Sequence, residues 1–298
     1  MGARVGTAVP AKQGLVATPD GNVEYLVEGE GDPVTVIGHG LTRTIADTRL
    51  LVRGVKGSSV FFHFRSHGNS SHAVGPWSYS ALAAELGAVC KHFGASRAIA
   101  ISVSCGVLAR AVTQSPDLFE RLVFVLPPSC FNAKMVANDL IHEYLALAVA
   151  GKSDELTAMV ASSWPEWMRE FDHKSLLSRL TADRLIASPT VVGGTRDMVR
   201  SPAIADLTEL AGIKAATLIV GQEDDLLHPV QVARELAAAI PEAHLRLIQP
   251  VRSYSAYGRA VSTVVSAFLN GEAREGRFMA DAGVASGPRP PQTGAADL

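Results

Sequence analysis

The sequence predicts an α/β fold: a mostly parallel, doubly wound central sheet with a helical cap insertion. Three observations lead there. Short, continuous apolar runs such as Val34 to Ile37, Val60 to Phe64, Leu122 to Leu126 and Ala216 to Val220 alternate with amphipathic helical stretches, the rhythm of strands covered on both faces and joined by right-handed crossovers. A further apolar run, starting at Arg97, passes through a turn of small residues straight into the helical run Val107 to Thr113. From about Cys130 to Gly212 the rhythm breaks and the pattern is helical throughout, as in an insertion over the sheet edge where open α/β sheets bind ligands.

With 298 residues, 47% hydrophobic and 19% charged, the chain can bury a full core. A net charge of −2 with scattered Lys and Arg leaves no electrostatic footprint for nucleic acid. No apolar run is long enough to span a bilayer, the N-terminus lacks a signal-peptide core, and Met1-Gly2 has Gly6 where an acylation signal needs Ser or Thr. Cys90, Cys105 and Cys130 have neither disulfide nor metal spacing, which suits a reducing cytoplasm.

In order, residues 1 to about 13 read as a loose arm, and Leu15 to Ala17 with Val23 to Val27 as a hairpin around Pro19-Asp20-Gly21-Asn22. The strand Val34 to Ile37 delivers Gly38-His39-Gly40-Leu41, and after a short helix Val60 to Phe64 leads into Arg65-Ser66-His67-Gly68-Asn69-Ser70. Ser78 to Phe93 is helical, with Leu82, Leu86, Val89 and Phe93 on one stripe and Gly94 as its stop. The cap comprises helices over Met135 to Val149, Ser153 to Ser162, Pro165 to Phe171 and Lys174 to Ile186, and a short one near Asp206; its Trp164, Trp167, Met168 and Phe171 either line an apolar pocket or glue the cap to the core. The strand Ala216 to Val220 ends in Gly221-Gln222-Glu223-Asp224-Asp225, followed by a helix over Pro229 to Ile240, the strand His244 to Ile248 and a helix over Gly258 to Leu269. The expected organisation is a core over 14–129 and 213–270, a cap over 130–212, and a disordered Gly, Ala and Pro-rich tail over 271–298.

A hydroxyl on so sharp a strand-to-helix turn points out above the sheet edge, beside the first free N–H of the helix, here that of Val103. Two serines fit the need for small neighbours two residues either side. The helix favours Ser102, because counting from it places Leu108 and Val112 toward the sheet and Arg110 in solvent, whereas counting from Ser104 assigns Arg110 and Gln114 to apolar positions.

This turn resembles the nucleophile elbow of the α/β-hydrolase superfamily, in particular its actinobacterial α/β-fold hydrolases. Gly38-His39-Gly40-Leu41, Arg65-Ser66-His67-Gly68-Asn69-Ser70 and Asp225-Leu226-Leu227-His228-Pro229 follow in matching order. The resemblance implies Ser102 as nucleophile, the backbone N–H groups of Leu41 and Val103 as oxyanion hole, and His39 as the residue that holds its loop. It implies a triad acid after the strand Ala216 to Val220. Counting back from Pro229 selects Asp225 and counting forward from Gly221 selects Asp224; the helix fixes its end of the loop more firmly and favours Asp225. Two departures stand out upstream: His63 replaces an acid, and Ser66 replaces a glycine. His63, His67 and His72 lack a partner Cys or carboxylate at metal-ligand spacing, so no metal is expected.

The largest departure is the general base. The superfamily keeps a histidine after the last strand, but Gln249 to Tyr257 contains none, and His244 lies inside the strand. His228, three residues after Asp225, is the nearest candidate by sequence, but it reads rather as a partly exposed residue at a helix start; Tyr254 or Tyr257 could contribute, though a phenol is a weak base at neutral pH. The expectation is a cytoplasmic, cofactor-free serine-dependent hydrolase of an ester, thioester or lactone of a small apolar molecule, with no base assigned. The alternatives are a non-hydrolytic enzyme that polarises a carbonyl with Tyr or Arg252, and a ligand-binding or regulatory protein with a relic site.

Overall fold

A computed structural model of the chain describes residues 12–72, 75, 77–132, 139–171, 173–272 and 284–286. The opening hairpin is β1 (Lys12–Thr18) and β2 (Gly21–Glu28), so the first strand takes up residues 12 and 13 of the expected arm. There follow β3 (Val34–Gly38), α1 (Ile45–Arg49), β4 (Ser58–Phe62), α2 (Tyr79–Phe93), β5 (Arg97–Ile101), α3 (Val103–Gln114) and β6 (Arg121–Val125). The insertion holds α4 (Asp139–Val149), α5 (Ser153–Ser163), a 3₁₀ turn at Glu166–Met168, α6 (Lys174–Ile186), α7 (Pro189–Met198) and a 3₁₀ turn at Leu207–Gly212. The chain returns to the sheet with β7 (Ala216–Gln222), α8 (Val230–Ala239), β8 (Ala243–Ile248) and α9 (Tyr254–Leu269).

The sheet order is β1-β2-β4-β3-β5-β6-β7-β8. From β4 to β8 every neighbouring pair is parallel, while β1 and β2 are antiparallel. A three-residue strand β9 (Val284–Ser286) joins the edge of β8 antiparallel; the rest of the expected tail beyond Glu272, like residues 1–11, lies outside the described residues.

Alternation along the strands divides the core. Val36, Ala98, Ala100, Leu122, Phe124 and Ile219 face the layer of α2, α3 and α8, where Leu86, Val89, Leu108 and Leu236 meet them. Their neighbours Ile37, Ile99, Val123, Val125, Leu218 and Val220 face α9, against Val261, Val264 and Phe268. Small Ala98 and Ala100 let α2 and α3 close over the sheet centre, and Gly106 permits the contact of α3 with Tyr79 and Cys130, which a Cβ would obstruct. The cap has its own core of Tyr144, Leu145, Leu156, Val160, Leu185 and Val192.

Three sequence expectations need correction. The helix expected over Pro165 to Phe171 is only the 3₁₀ turn at Glu166–Met168. α7 was not expected, since Thr190, Val191 and Val192 with two glycines make poor helix. Tertiary packing overrides propensity there: Val191, Val192 and Met198 are buried, and Gly194 leaves room for the Trp77 ring. α9 begins at Tyr254 rather than Gly258, because the Ser253 hydroxyl accepts the Ala256 N–H at 3.2 Å and caps it. Tyr254 and Tyr257 are therefore first-turn helical residues and not loop. The expected helical residues 135–138 lie outside the described residues. No helix among the described residues is long and apolar enough to cross a membrane.

Candidate active site

The parallel strands converge on one cavity of about 290 Å³ under the cap. Gly40 and Leu41 reach it after β3, Ser102 after β5, Leu126 after β6, and Asp225 and His228 after β7. Trp164 and Met168 close it from the cap, whereas Trp167 and Phe171 pack against each other and on the core below. The four aromatic and sulfur side chains are thus split between lining and glue.

Ser102 occupies the turn between β5 and α3 with φ 56° and ψ −123°. This left-handed conformation is costly for any residue with a Cβ, and here β5 and the helix impose it. The Ser102 N–H donates to the Val125 carbonyl at 2.9 Å, and the Ser102 carbonyl accepts from Cys105 N–H at 2.8 Å. Its hydroxyl is left facing the cavity.

Ser104 does different work. It is buried, accepts the Ile101 N–H at 2.6 Å, and its hydroxyl proton faces the carbonyls of Gly38 at 3.0 Å and Ile101 at 2.9 Å. Of the two serines, only Ser102 lines the cavity.

The outcome at His228 reverses the sequence reading. Its Nε2 lies 2.9 Å from Ser102 Oγ, and its Nδ1 lies 3.0 Å from Asp225 Oδ2. Asp225 also accepts the backbone N–H groups of Leu227 and His228 on Oδ1, both at 2.9 Å, and the Gln222 amide on Oδ2 at 2.5 Å. Burial pushes this carboxyl up, but the His228 ring and N–H with the Gln222 amide outweigh it and hold it at about 2. Ionised Asp225 thereby keeps the imidazole proton on Nδ1 and turns a lone pair on Nε2 toward Ser102. Neighbouring Asp224 is exposed, at φ 58°.

The signal for His228 was present in the sequence as an Asp and a His three residues apart before Pro229. A turn of that length lets one carboxylate accept both the backbone and the ring of the later residue. The sequence offers His228 as the nearest candidate base, and only its contact with Ser102 separates that role from a plain helix-start residue.

The other expected contributors sort as follows. Tyr257 is buried and lines the cavity, but burial and then the nearby Asp225 charge raise its phenol well above the ordinary value, which removes it as a base. Tyr254 stands at the cavity, and Arg252 is exposed and not part of its wall. His39 donates from Nδ1 to the Gly40 carbonyl at 2.7 Å and accepts the Phe64 N–H on Nε2 at 3.1 Å, so it clamps the loop that carries Leu41. That loop presses on the turn: a Cβ on Gly40 would lie 3.3 Å from Ser102 Cβ. The Val103 N–H opens α3 and has no intrahelical acceptor.

Around the upstream loop, Glu24 on β2 accepts His63 Nδ1 at 2.8 Å while His63 Nε2 accepts the Ile45 N–H at 3.0 Å. Ser66, where the superfamily has glycine, holds φ 60°. His67 donates Nδ1 to the Arg65 carbonyl at 3.0 Å, and His72 is exposed.

No family model and no curated protein sequence matches the chain. Solved structures do. An α/β hydrolase enzyme from a Medee basin deep-sea metagenome library matches with a TM-score of 0.69 at 18% identity, covering 87% of this chain and 96% of its own. The enol-lactonase of Burkholderia xenovorans LB400 matches at 0.71 and 17%, covering 86% and 100%. An esterase from Exiguobacterium antarcticum matches at 0.68 and 13%, covering 86% and 98%. The chain has the α/β-hydrolase fold, with a helical insertion between β6 and β7.

Proposed function

We propose that this protein is a serine-dependent hydrolase acting on an ester, thioester or lactone of a small, fairly apolar molecule, with Ser102 as nucleophile, His228 as general base and Asp225 as its orienting acid. The observation that carries the reading is the relay of two hydrogen bonds, 2.9 Å from Ser102 Oγ to His228 Nε2 and 3.0 Å from His228 Nδ1 to Asp225 Oδ2. The mostly apolar cavity above it supports the substrate class.

In this reading His228 Nε2 takes the hydroxyl proton as Ser102 Oγ bonds to the substrate carbonyl carbon. The carbonyl electron pair moves to oxygen, where the Leu41 and Val103 N–H groups receive the charge. They are fixed before it appears and need no reorganisation. The imidazolium, stabilised by Asp225, gives its proton to the leaving oxygen or sulfur as that bond breaks. Water then attacks the acyl-serine with His228 again as base, releasing the acid and restoring Ser102.

Hydrolysis of short p-nitrophenyl esters, together with labelling by a fluorophosphonate, tests this. Turnover and labelling present in the native protein and in Ser104→Ala, and lost in Ser102→Ala and His228→Ala, are expected. An unlabelled Ser102 with background turnover would overturn the reading and favour ligand binding or non-hydrolytic chemistry.

A further inference from the structure

The cavity wall supplied by the cap is mostly apolar apart from a few hydroxyls, and those hydroxyls are nearly all engaged. Tyr144 bonds Ser163 at 2.6 Å, Ser163 faces the Val160 carbonyl at 2.9 Å, and Thr181 donates to the Leu177 carbonyl at 2.9 Å. Thr195 on α7 is the exception. It is 1% exposed, lines the cavity, and its Oγ1 has no hydrogen-bond partner among the described residues.

The lack of a partner is not a general habit of helical threonines in this chain. Thr48, Thr157 and Thr181 each fold their hydroxyl back onto the carbonyl four residues earlier, at 2.6, 2.7 and 2.9 Å, the usual local solution. Thr195 leaves that solution unused. Its place is also fixed from behind, because Gly194 packs against the Trp77 ring and sets α7 on the start of α2. Among the described residues two core hydroxyls at the cavity also lack an oxygen or nitrogen partner: Tyr79 lies against the Cys130 thiol, and Tyr257 beside Asp225 at the reacting end. Neither belongs to the cap.

We infer that Thr195 is a substrate-recognition residue: the substrate carries, away from its scissile carbonyl, a second uncharged oxygen, a ketone or a hydroxyl, that hydrogen-bonds to Thr195 Oγ1. The inference rests on the hydrolase reading above and narrows its substrate class. A ligand oxygen satisfies a buried hydroxyl whose pairing is otherwise unmet. An uncharged oxygen fits because one hydroxyl in a mostly apolar wall does not offset the desolvation of a carboxylate or ammonium.

The test compares p-nitrophenyl alkanoates with oxo analogues of the same length, the ketone walked along the chain one carbon at a time. It is run on the native protein, Thr195→Val and Thr195→Ser, and the readout is the ratio of kcat/KM for each oxo and plain pair. At one ketone position the native ratio rises to about tenfold, Thr195→Val brings it to near one, and Thr195→Ser restores it. A flat ratio at every position, or a preference that survives Thr195→Val, overturns the inference while Ser102-dependent turnover of the plain esters leaves the hydrolase reading standing. Absence of Ser102-dependent turnover removes both.

Discussion

Asp225 holds His228 twice, accepting its ring Nδ1 at 3.0 Å and its own backbone N–H at 2.9 Å. Acid and imidazole therefore sit on one short turn after β7, so the ring's position relative to Ser102 depends on that turn alone and not on the connection after β8. The end of β8 is left to Tyr254 and Tyr257 on α9.

This arrangement predicts unequal losses. His228→Ala removes the proposed base and should lower kcat for an ester by at least about 10³-fold, leaving what binding and the proposed oxyanion donors supply. Asp225→Asn should lower kcat as well by freeing the other ring tautomer. Asp225→Ala should in addition lower the midpoint of urea unfolding, because the Leu227 and His228 N–H groups lose their acceptor, at about 1 kcal/mol or more. Loss of stability with His228→Ala as large as with Asp225→Ala would contradict this division.

The two serines of the turn separate in the same way. Ser104→Ala removes the hydroxyl that accepts the Ile101 N–H in the core and should cost about 1–3 kcal/mol while keeping the proposed nucleophile Ser102. Ser102→Gly should abolish turnover yet unfold at higher urea than Ser102→Ala, by about 1–2 kcal/mol, since only glycine adopts φ 56° and ψ −123° without strain. Equal midpoints for the alanine and glycine variants would mean that no strain is held at this turn.

Much of this was legible in the sequence because it is local. Continuous apolar strands, the small residues Ala100, Ser102 and Ser104, and the caps Ser78 and Gly94 each specify their element without reference to the rest of the chain. The choice of Asp225 over Asp224 followed from distance to Pro229. What escaped was set by tertiary contact: α7 exists because Gly194 meets Trp77, and the first turn of α9 because Ser253 caps it. His228 is the nearest candidate in the sequence, but nothing local to it shows that its ring meets Ser102, which lies far earlier in the chain.

Acid sensitivity follows from the histidines behind the Leu41 loop. Burial pushes His67 from 6.5 down to about 4, helped by His63 and opposed by the Arg65 carbonyl. Burial, with His67 nearby, holds His39 well below its ordinary value. In both, the unfolded chain binds the proton first. The stability of the neutral, folded state is therefore complete above about pH 6.5 and lost as pH falls toward 4, with roughly 3 kcal/mol from His67 alone. Urea midpoints measured from pH 7.5 to 4.5 should fall in the native protein and fall less in His67→Gln. Parallel curves would remove His67 as the cause.

Arg65 ties this same region together and bears on the site at a distance. Its guanidinium reaches Glu85 on α2 at 2.5 Å and Asp20 in the β1–β2 turn at 2.6 Å, and Glu85 Oε2 accepts the Arg65 N–H at 3.2 Å. Arg65 and Glu85 are both buried, so the pair's worth lies in the charge that one partner leaves behind. Arg65→Met should cost about 3–5 kcal/mol, and the double variant Arg65→Met with Glu85→Leu should recover a large part of it. The residue before Arg65 is Phe64, whose N–H holds His39, and His39 in turn holds the Gly40 carbonyl beside Leu41. Under the proposed mechanism a loosened Arg65 segment should therefore lower kcat for esters more than it raises KM, because a displaced Leu41 N–H would weaken the transition state and not substrate binding. In the double variant, stability regained with kcat still depressed would place the defect in this loop; kcat regained in step with stability would show that Arg65 acts on folding alone.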